Sequence, residues 1–125
     1  MKYSELPKQK LIQKLILTSF ESPSANRDVY NWCESISKHI QFLENERIKL
    51  VKKYGEDDGN GNIKVATFQL GNFGKAFSDL INMEIDEEIK PCPVKEDWFD
   101  DNKCSYPAEK EMWITPAEIG ILKNL

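Results

Sequence analysis

The strongest constraint on the fold is a series of residues between positions 29 and 54, spaced alternately four and three apart. This spacing places them along one side of an α-helix and is typical of a helix that packs against another helix. Ser22 before Pro23 predicts an N-cap with proline at the first helical position, and no glycine or proline interrupts the series that follows. We therefore predict one helix about 45 Å long that ends at Tyr54. The seam consists of Val29, Cys33, Ile36, Ile40, Leu43, Arg47, Leu50 and Tyr54.

Such a seam is stable only when other apolar surface covers it. A shorter amphipathic helix precedes it, with Leu11, Ile12, Leu15, Ile16 and Phe20 on one side, and can cover only part of it. A later helix or a second copy of the chain must cover the rest. A homo-oligomer is therefore one of the two alternatives, and its seam would be formed by Ile36, Ile40, Leu43, Arg47, Leu50 and Tyr54.

The rest of the chain predicts a mainly α fold with a small antiparallel β element, built on a long helical hairpin. A third helix is indicated by the phenylalanines of "NFGKAFSDLINM" and should run antiparallel to the second. Met83–Ile89 alternates like a strand, with "MWI" as its partner. Thr115, Pro116 and Glu118 form the start signal of a last helix. We expect one domain over 1–125, with a hairpin (1–54), a turn, helix and strand (55–90), a Pro-rich acidic loop (91–111), and a strand and capping helix (112–125).

The segment "KKYGEDDGNGNIKV" can be either a calcium-binding loop or a turn at the end of the long helix. With Gly61 at the sixth position of an EF-hand loop, Glu56, Asp58 and Asn60 occupy ligand positions. The twelfth position is then Thr67, which cannot supply the bidentate carboxylate. Asp-Gly and Asn-Gly pairs also favour tight turns. We therefore prefer the turn and predict no metal or other cofactor.

Composition places the chain among ordinary folded proteins, with 40% hydrophobic and 30% charged residues. The longest apolar run near the N-terminus is too short to cross a bilayer, and no signal-peptide pattern follows it. The three cysteines, Cys33, Cys92 and Cys104, are widely spaced, which favours free thiols in a reducing compartment. We expect a cytoplasmic protein that does not contact membranes.

Charge is distributed unevenly along the chain. Residues 1–54 contain ten Lys/Arg and six Asp/Glu, whereas residues 84–111 contain four Lys and ten Asp/Glu. The basic residues are not clustered among aromatics, so the pattern does not favour nucleic-acid binding. The acidic segment can be a solvated face, or it can imitate nucleic-acid phosphates and occupy a basic groove.

Two adjacent aromatic residues, Trp98 and Phe99, lie within this acidic segment. Together with Asp97, Asp100 and Asp101 they are the predicted site of interaction with a protein partner, since large rings dominate interface energetics. The alternative is that the two rings fold back into a small core.

No residue pattern predicts catalysis. Glu88 and Lys90, with Asp79 upstream, are similar to the metal-binding signature of restriction-type nucleases, but the surrounding parallel sheet is not predicted. Cys92 and Cys104 lack the paired spacing of zinc ligands. His39 is the only histidine, and we expect it on the helix surface. We therefore assign no catalytic residue.

Several segments together resemble a family of small tailed-phage proteins of unknown function. The segments are "ERIKLVKKYGEDDGNGNIKV", "F…F..LINMEIDEEI" and the terminal "ITPAEIGIL". The matching residues, 44–90 and 113–122, make up about half of the chain. The Pro-rich acidic insert and the N-terminal helix depart from the pattern. The resemblance implies a phage or prophage origin and no biochemical activity.

These observations favour a non-enzymatic phage protein that acts by protein–protein contact, as a virion or assembly component or as an accessory factor. Such a protein would be found in the bacterial cytoplasm or in the virion, with a phage or host protein as its partner. An inhibitor of a host defence system, which would use the acidic segment, is the alternative. A metal-dependent nuclease is the third hypothesis.

Overall fold

The computed structural model describes residues 1–100 and 102–125 and confirms a mainly α fold with small antiparallel β elements. Four short 3-10 turns, at Tyr3–Glu5, Thr67–Gln69, Glu96–Phe99 and Lys110–Met112, connect the longer elements. The helices are α1 (Gln9–Leu17), α2 (Pro23–Tyr54), α3 (Leu70–Ile81) and α4 (Pro116–Lys123). The strands are β1 (Ser19–Phe20), β2 (Gly55–Asp57), β3 (Ile63–Val65) and β4 (Cys104–Ser105).

Helix α2 is the long helix that the spacing of its apolar residues predicts. It has 32 residues and begins at Pro23, where the missing amide hydrogen of proline costs nothing. Lys52 and Lys53 occupy the last turn, where positive charge suits the helix dipole.

Helix α2 ends at Tyr54, and the glycine that follows it does not form a left-handed cap. Among the described residues, Gly59 and Gly61 are the glycines with positive φ, at 85° and 82°. Gly55 instead starts β2, and a Cβ atom there would overlap the Val51 carbonyl oxygen and the Ile63 side chain. Glycine is therefore needed for the close approach of the helix end and the hairpin.

In the described part of the chain, the strands form two short antiparallel pairs. Strand β2 pairs with β3 through Gly55↔Val65, Glu56↔Lys64 and Asp57↔Ile63, which forms a hairpin directly after α2. Strand β1 pairs with β4, far along the chain, through Ser19↔Ser105 and Phe20↔Cys104. On the other edge of β1, the side chain of Asn26 accepts from the Phe20 amide at 2.8 Å and donates to its carbonyl at 3.1 Å. This blocks the edge at Phe20.

The strand predicted over Met83–Ile89 does not form. The segment contributes only an isolated bridge between Lys2 and Glu84, because the N-terminal residues take its backbone groups. The Tyr3 amide donates to the Met83 carbonyl at 3.2 Å, and the Ile85 amide donates to the Met1 carbonyl at 2.9 Å. The predicted partner strand is absent too, because Lys110–Met112 forms a 3-10 turn.

The described chain divides into two compact units of similar size. The first unit consists of residues 1–6 and 38–88, and the second unit consists of residues 7–37 and 89–125. Helix α2 contributes its second half to the first unit and its first half to the second unit. Among the described residues, no helix is both long enough and apolar enough to cross a membrane.

The second unit has a well-formed apolar core. Helix α1, the first half of α2, β1, helix α4 and two loop positions contribute to it. The buried apolar residues are Leu11, Ile12, Leu15, Phe20, Ala25, Val29, Trp32, Cys33, Ile36, Val94, Ile114 and Leu122. The indole nitrogen of Trp32 donates to the Lys90 carbonyl at 2.9 Å, so the core also fixes the loop that follows residue 88.

Helix α4 begins with the predicted capping box. Thr115 accepts from the Glu118 amide at 3.2 Å, and Glu118 Oε1 accepts from the Thr115 amide at 3.0 Å. The same oxygen accepts from Lys14 Nζ at 2.9 Å, which joins α4 to α1. Burial would raise the pKa of Glu118, but the hydrogen bonds from Lys14 and Thr115 outweigh it and hold the pKa below its ordinary value.

Replacing Gly55 with alanine should lower the free energy of unfolding by about 1–3 kcal/mol, because the new methyl group overlaps backbone atoms. Gly74→Ala is the matched control: a Cβ at Gly74, in the middle of α3, meets no atom within 4 Å. It should raise stability by about 0.5–1 kcal/mol through better helix propensity. Urea denaturation of both variants measures the difference, and equal effects would contradict the close approach at Gly55.

Replacing Glu118 with glutamine should make the free energy of unfolding depend less on pH in the acidic range. The lowered pKa means that the carboxylate contributes stability above its unfolded pKa and loses this contribution as pH falls through the folded pKa. The variant should be less stable at neutral pH by about 1–3 kcal/mol and should lose less stability on acidification. Denaturation at pH 7 and at decreasing pH measures this. Glu109→Gln, at an exposed position, is the control and should match the wild-type profile.

Candidate interaction surface

Trp98 and Phe99, the predicted protein anchor, pack against the buried ring of Phe20. Both lie in the 3-10 turn Glu96–Phe99 and are half-buried. Each ring centroid lies 5.4 Å from that of Phe20, and Phe99 meets it edge to face. This packing agrees with the second hypothesis for the two rings, in which they fold back into the core.

One of the acidic residues beside these rings, Asp97, lines a small cavity of about 200 Å³ in the second unit. Asp97 is exposed, with an oxygen 3.8 Å from Lys103 Nζ, and Asp100 is also exposed. Asp101 lies outside the described residues. The cavity is lined by Phe20, Glu21, Ser22, Ala25, Asp97, Trp98 and Lys103, so both charge signs face it.

The acidic segment 84–111 is divided between the two units, and several of its carboxylates already have cationic partners. In the first unit, Glu84 pairs with the N-terminal amine at 3.2 Å. In the second unit, Glu96 pairs with Lys123 at 2.7 Å. These pairs reduce the negative charge that the segment could present to a basic groove. The phosphate-imitating surface stays a prediction.

His39 is buried rather than on the helix surface, where the sequence placed it. It is 6% exposed, and its ring meets that of Tyr3 at 6.4 Å between centroids. Glu87 Oε1 lies 2.7 Å from His39 Nε2 and 2.8 Å from Lys38 Nζ.

These contacts shift the pKa values of the groups around His39. The hydrogen bond from Lys38, followed by that from His39, lowers the pKa of Glu87. Burial, with smaller contributions from Asp86 and Glu87, raises the pKa of Tyr3. Sequence periodicity could not reveal a partner as distant as Tyr3.

The loop after α2 is a hairpin turn, and its acidic side chains bind the loop's own backbone. Asp58 Oδ1 accepts from the amides of Asn60 at 2.8 Å and Asn62 at 3.3 Å. Asp57 Oδ1 accepts from the Gly59 amide at 2.8 Å. Glu56, another of the calcium candidates, lies in β2 opposite Lys64. Across the described residues, no three His, Cys, Asp or Glu side chains are placed to hold a metal ion.

The residues that resemble a nuclease signature do not share a strand. Asp79 lies on α3, and Glu88 and Lys90 lie in a segment without regular secondary structure. The carbonyl group of Lys90 accepts a hydrogen bond from the indole nitrogen of Trp32. The catalytic arrangement expected of such a signature is therefore not supported by local geometry.

The three cysteines are free. Burial, with a smaller contribution from Cys92, raises the pKa of Cys33 to about 12, and burial raises the pKa of Cys92 to about 11. Both thiols are therefore protonated at neutral pH and are weak nucleophiles.

The predicted oligomer seam differs between the two halves of α2. Ile36, in the second unit, is fully buried. The remaining seam residues, all in the first unit, are only half-buried: Ile40, Leu43, Arg47, Leu50 and Tyr54. Arg47, its polar member, donates to both carboxylate oxygens of Glu44 at 2.6 and 3.0 Å. The hydrogen bond from Arg47 lowers the pKa of Glu44.

Helix α3 has an apolar stripe that is also incompletely covered. No residue of α3 is fully buried. The stacked rings of Phe73 and Phe77, with centroids 6.0 Å apart, are half-buried, as are Ala76, Leu80 and Ile81. The 3-10 turn before α3 exposes 76% of Phe68, and Leu70 is 53% exposed. Local sequence patterns did not single out Phe68, because "NIKVATF" can also form a short strand that ends at this residue.

The first unit therefore contrasts with the second in how much apolar surface it buries. Among the described residues, two of the fourteen buried hydrophobic residues, Tyr3 and Ile85, belong to the first unit. We call the half-buried residues Leu43, Leu50 and Tyr54 of α2 and Phe73, Phe77 and Leu80 of α3, with exposed Phe68 and Leu70, the open helical set. It is the candidate interaction surface.

Comparison with known proteins gives no match: no protein-family model, curated protein or solved structure is significantly similar to this chain.

Trp98→Ala and Phe99→Ala should each lower the free energy of unfolding by about 1–3 kcal/mol, because each ring packs against buried Phe20. Tyr30→Ala is the control, since Tyr30 is 56% exposed and should change stability much less. Urea denaturation measures all three. Unchanged stability in both ring variants would mean that the rings do not support the core and are available as a partner anchor.

Proposed function

We propose that this is a small phage- or prophage-encoded protein that acts without catalysis, by protein–protein contact. It would be a virion or assembly component or an accessory factor, present in the cytoplasm of the bacterial host or in the virion. The resemblance of residues 44–90 and 113–122 to small tailed-phage proteins supports the origin. The open helical set supports contact as the mode of action.

The observation that carries this proposal is the sparse burial in the first unit. Small folded units expose a large share of their surface and depend on covering apolar groups. Here the second half of α2 and the whole of α3 provide apolar side chains at helical spacing, yet neither stripe contains a fully buried apolar residue. Covering them with another protein would supply the burial that the first unit lacks.

Phe68 and Leu70 indicate where contact would begin. The Ala66 amide donates to the Tyr54 carbonyl at 3.4 Å, so the chain at residue 66 lies at the C-terminal end of α2. The exposed Phe68 and Leu70 follow within four residues. Buried aromatic rings are among the strongest contributors to protein interfaces.

The acidic alternative, an inhibitor of host defence, has less support. Its segment belongs partly to each unit, and Glu84, Glu87, Glu96 and Asp97 already have cationic neighbours. Pairing of these groups weakens the field that electrostatic imitation of phosphates requires.

A photoreactive benzoylphenylalanine at position 68, in the full chain in its natural host cell, tests the proposal. Ultraviolet light should produce a covalent protein adduct of defined mass, because a ring at this position would lie within the interface. The control is the same residue at position 30, an exposed aromatic position of the second unit, which should give a much lower yield. Equal yields at both positions, or none at position 68, would contradict the proposal.

A further inference from the structure

We propose that a second copy of this chain covers the open helical set, with the C-terminal halves of the two α2 helices packed antiparallel about Arg47 and Leu50. The inference rests on the proposed function and names the partner. It follows from the order of charges along α2, from the charges that the chain leaves unpaired, and from the periodicity of the seam.

The charges of α2 are segregated along its second half. Glu44 and Glu46 come first, and Lys49, Lys52 and Lys53 follow. An antiparallel copy places the acidic end of one helix beside the basic end of the other, and the two-fold axis repeats this contact. A parallel copy would place like charges side by side, which disfavours that arrangement.

The ion pair that this arrangement predicts most specifically joins Glu46 of one copy to Lys53 of the other. They are seven residues apart, so they lie on the same flank of the helix, beside the seam. When Arg47 of one copy packs against Leu50 of an antiparallel copy, Glu46 of each copy lies opposite Lys53 of the other. Flanking charges of this kind set the orientation and choice of partner in packed helices.

Within the described part of the chain, Lys49 is the lysine of the basic end that has a carboxylate partner, whereas Lys52 and Lys53 have none. Glu44 pairs with Arg47, and Glu46 uses Oε1 for Lys49 at 2.9 Å. Among the described residues, no carboxylate lies within ion-pair distance of Lys52 or Lys53, and Lys53 Nζ instead lies 5.3 Å from the centroid of the Tyr54 ring. A second copy would bring a carboxylate to Lys53, since each Glu46 has a second oxygen.

The apolar residues fit the same arrangement. Leu43 and Leu50 are one heptad apart and half-buried, and Tyr54 continues the stripe. Two identical helices have identical spacing, so their stripes remain in contact along the segment from 43 to 54, about 17 Å. An isologous two-fold contact also closes on itself, so it covers both copies without growing into a filament.

Reversing the charges of one end at a time tests the arrangement. The variants are E44K/E46K and K52E/K53E in the full chain, with size exclusion and light scattering at low and at high salt. Wild-type protein should have twice the 14.5 kDa mass of the chain. Each variant alone should show a dimer Kd raised about tenfold at low salt, and less at high salt, because like charges then face each other.

Mixing the two variants in equal amounts is the decisive arm. One variant is then basic at both ends and the other acidic at both ends, so the antiparallel heterodimer should recover wild-type affinity. Recovery cannot arise from unfolded helices, and circular dichroism of each variant confirms its helix content. The controls are E109K/E111K and K8E/K10E, which change net charge equally at exposed positions and should leave the dimer unchanged.

Three results would overturn the inference: a wild-type monomer at every concentration, a dimer that neither reversal weakens, or weakened variants that do not recover on mixing. The photo-crosslink at position 68 separates this failure from that of the proposed function. An adduct with a different protein, combined with a wild-type monomer, would leave contact as the function and exclude the second copy. The absence of any adduct would contradict both the proposed function and the dimer.

Discussion

The structure depends on the burial of one side of α2 between Ala25 and Ile36. In this part of the helix the seam residues are covered, and Trp32 and Cys33 pack within the same core. The Trp32 indole also binds the Lys90 carbonyl, which fixes the irregular segment that leads into the acidic loop. Beyond Ser37 the same helical periodicity continues, but the described residues form no comparable core around it. The change from buried to half-buried seam residues along one helix is the central physical feature of this protein.

Polar contacts hold in place the segments that the small apolar core does not fix. Lys14 and Glu118 join the first and last helices, and Asn26 closes the free edge of β1. In the first unit, Glu87 holds both Lys38 and His39, while Tyr3 packs between the rings of His39 and Phe42. Each of these contacts joins residues that are distant in sequence or orients a turn, so the loops are held despite their lack of regular structure.

The elements that could be predicted from the sequence are those whose signals are local. The spacing of apolar residues in α2, the capping box of α4 and the turn chemistry of the 55–65 loop each depend on residues within a few positions of one another. The strand expected at Met83–Ile89 failed because alternation shows only that one side is buried, not which backbone will pair with it. Here the N-terminal residues bind the backbone around Met83 and Ile85, and no sequence signal identifies that pairing.

Local sequence patterns were sufficient to predict the mainly α fold, the long helix, the cap of α4 and the Asp/Asn/Gly turn, because these depend on backbone conformations that neighbouring side chains select. Tertiary packing, in contrast, set the environment of each candidate residue. It placed Trp98 and Phe99 against Phe20, buried His39 beside Tyr3, and left the seam covered in one half of α2 and half-exposed in the other. These outcomes depend on which distant surfaces meet, and that depends on the total packing of the chain rather than on any local pattern.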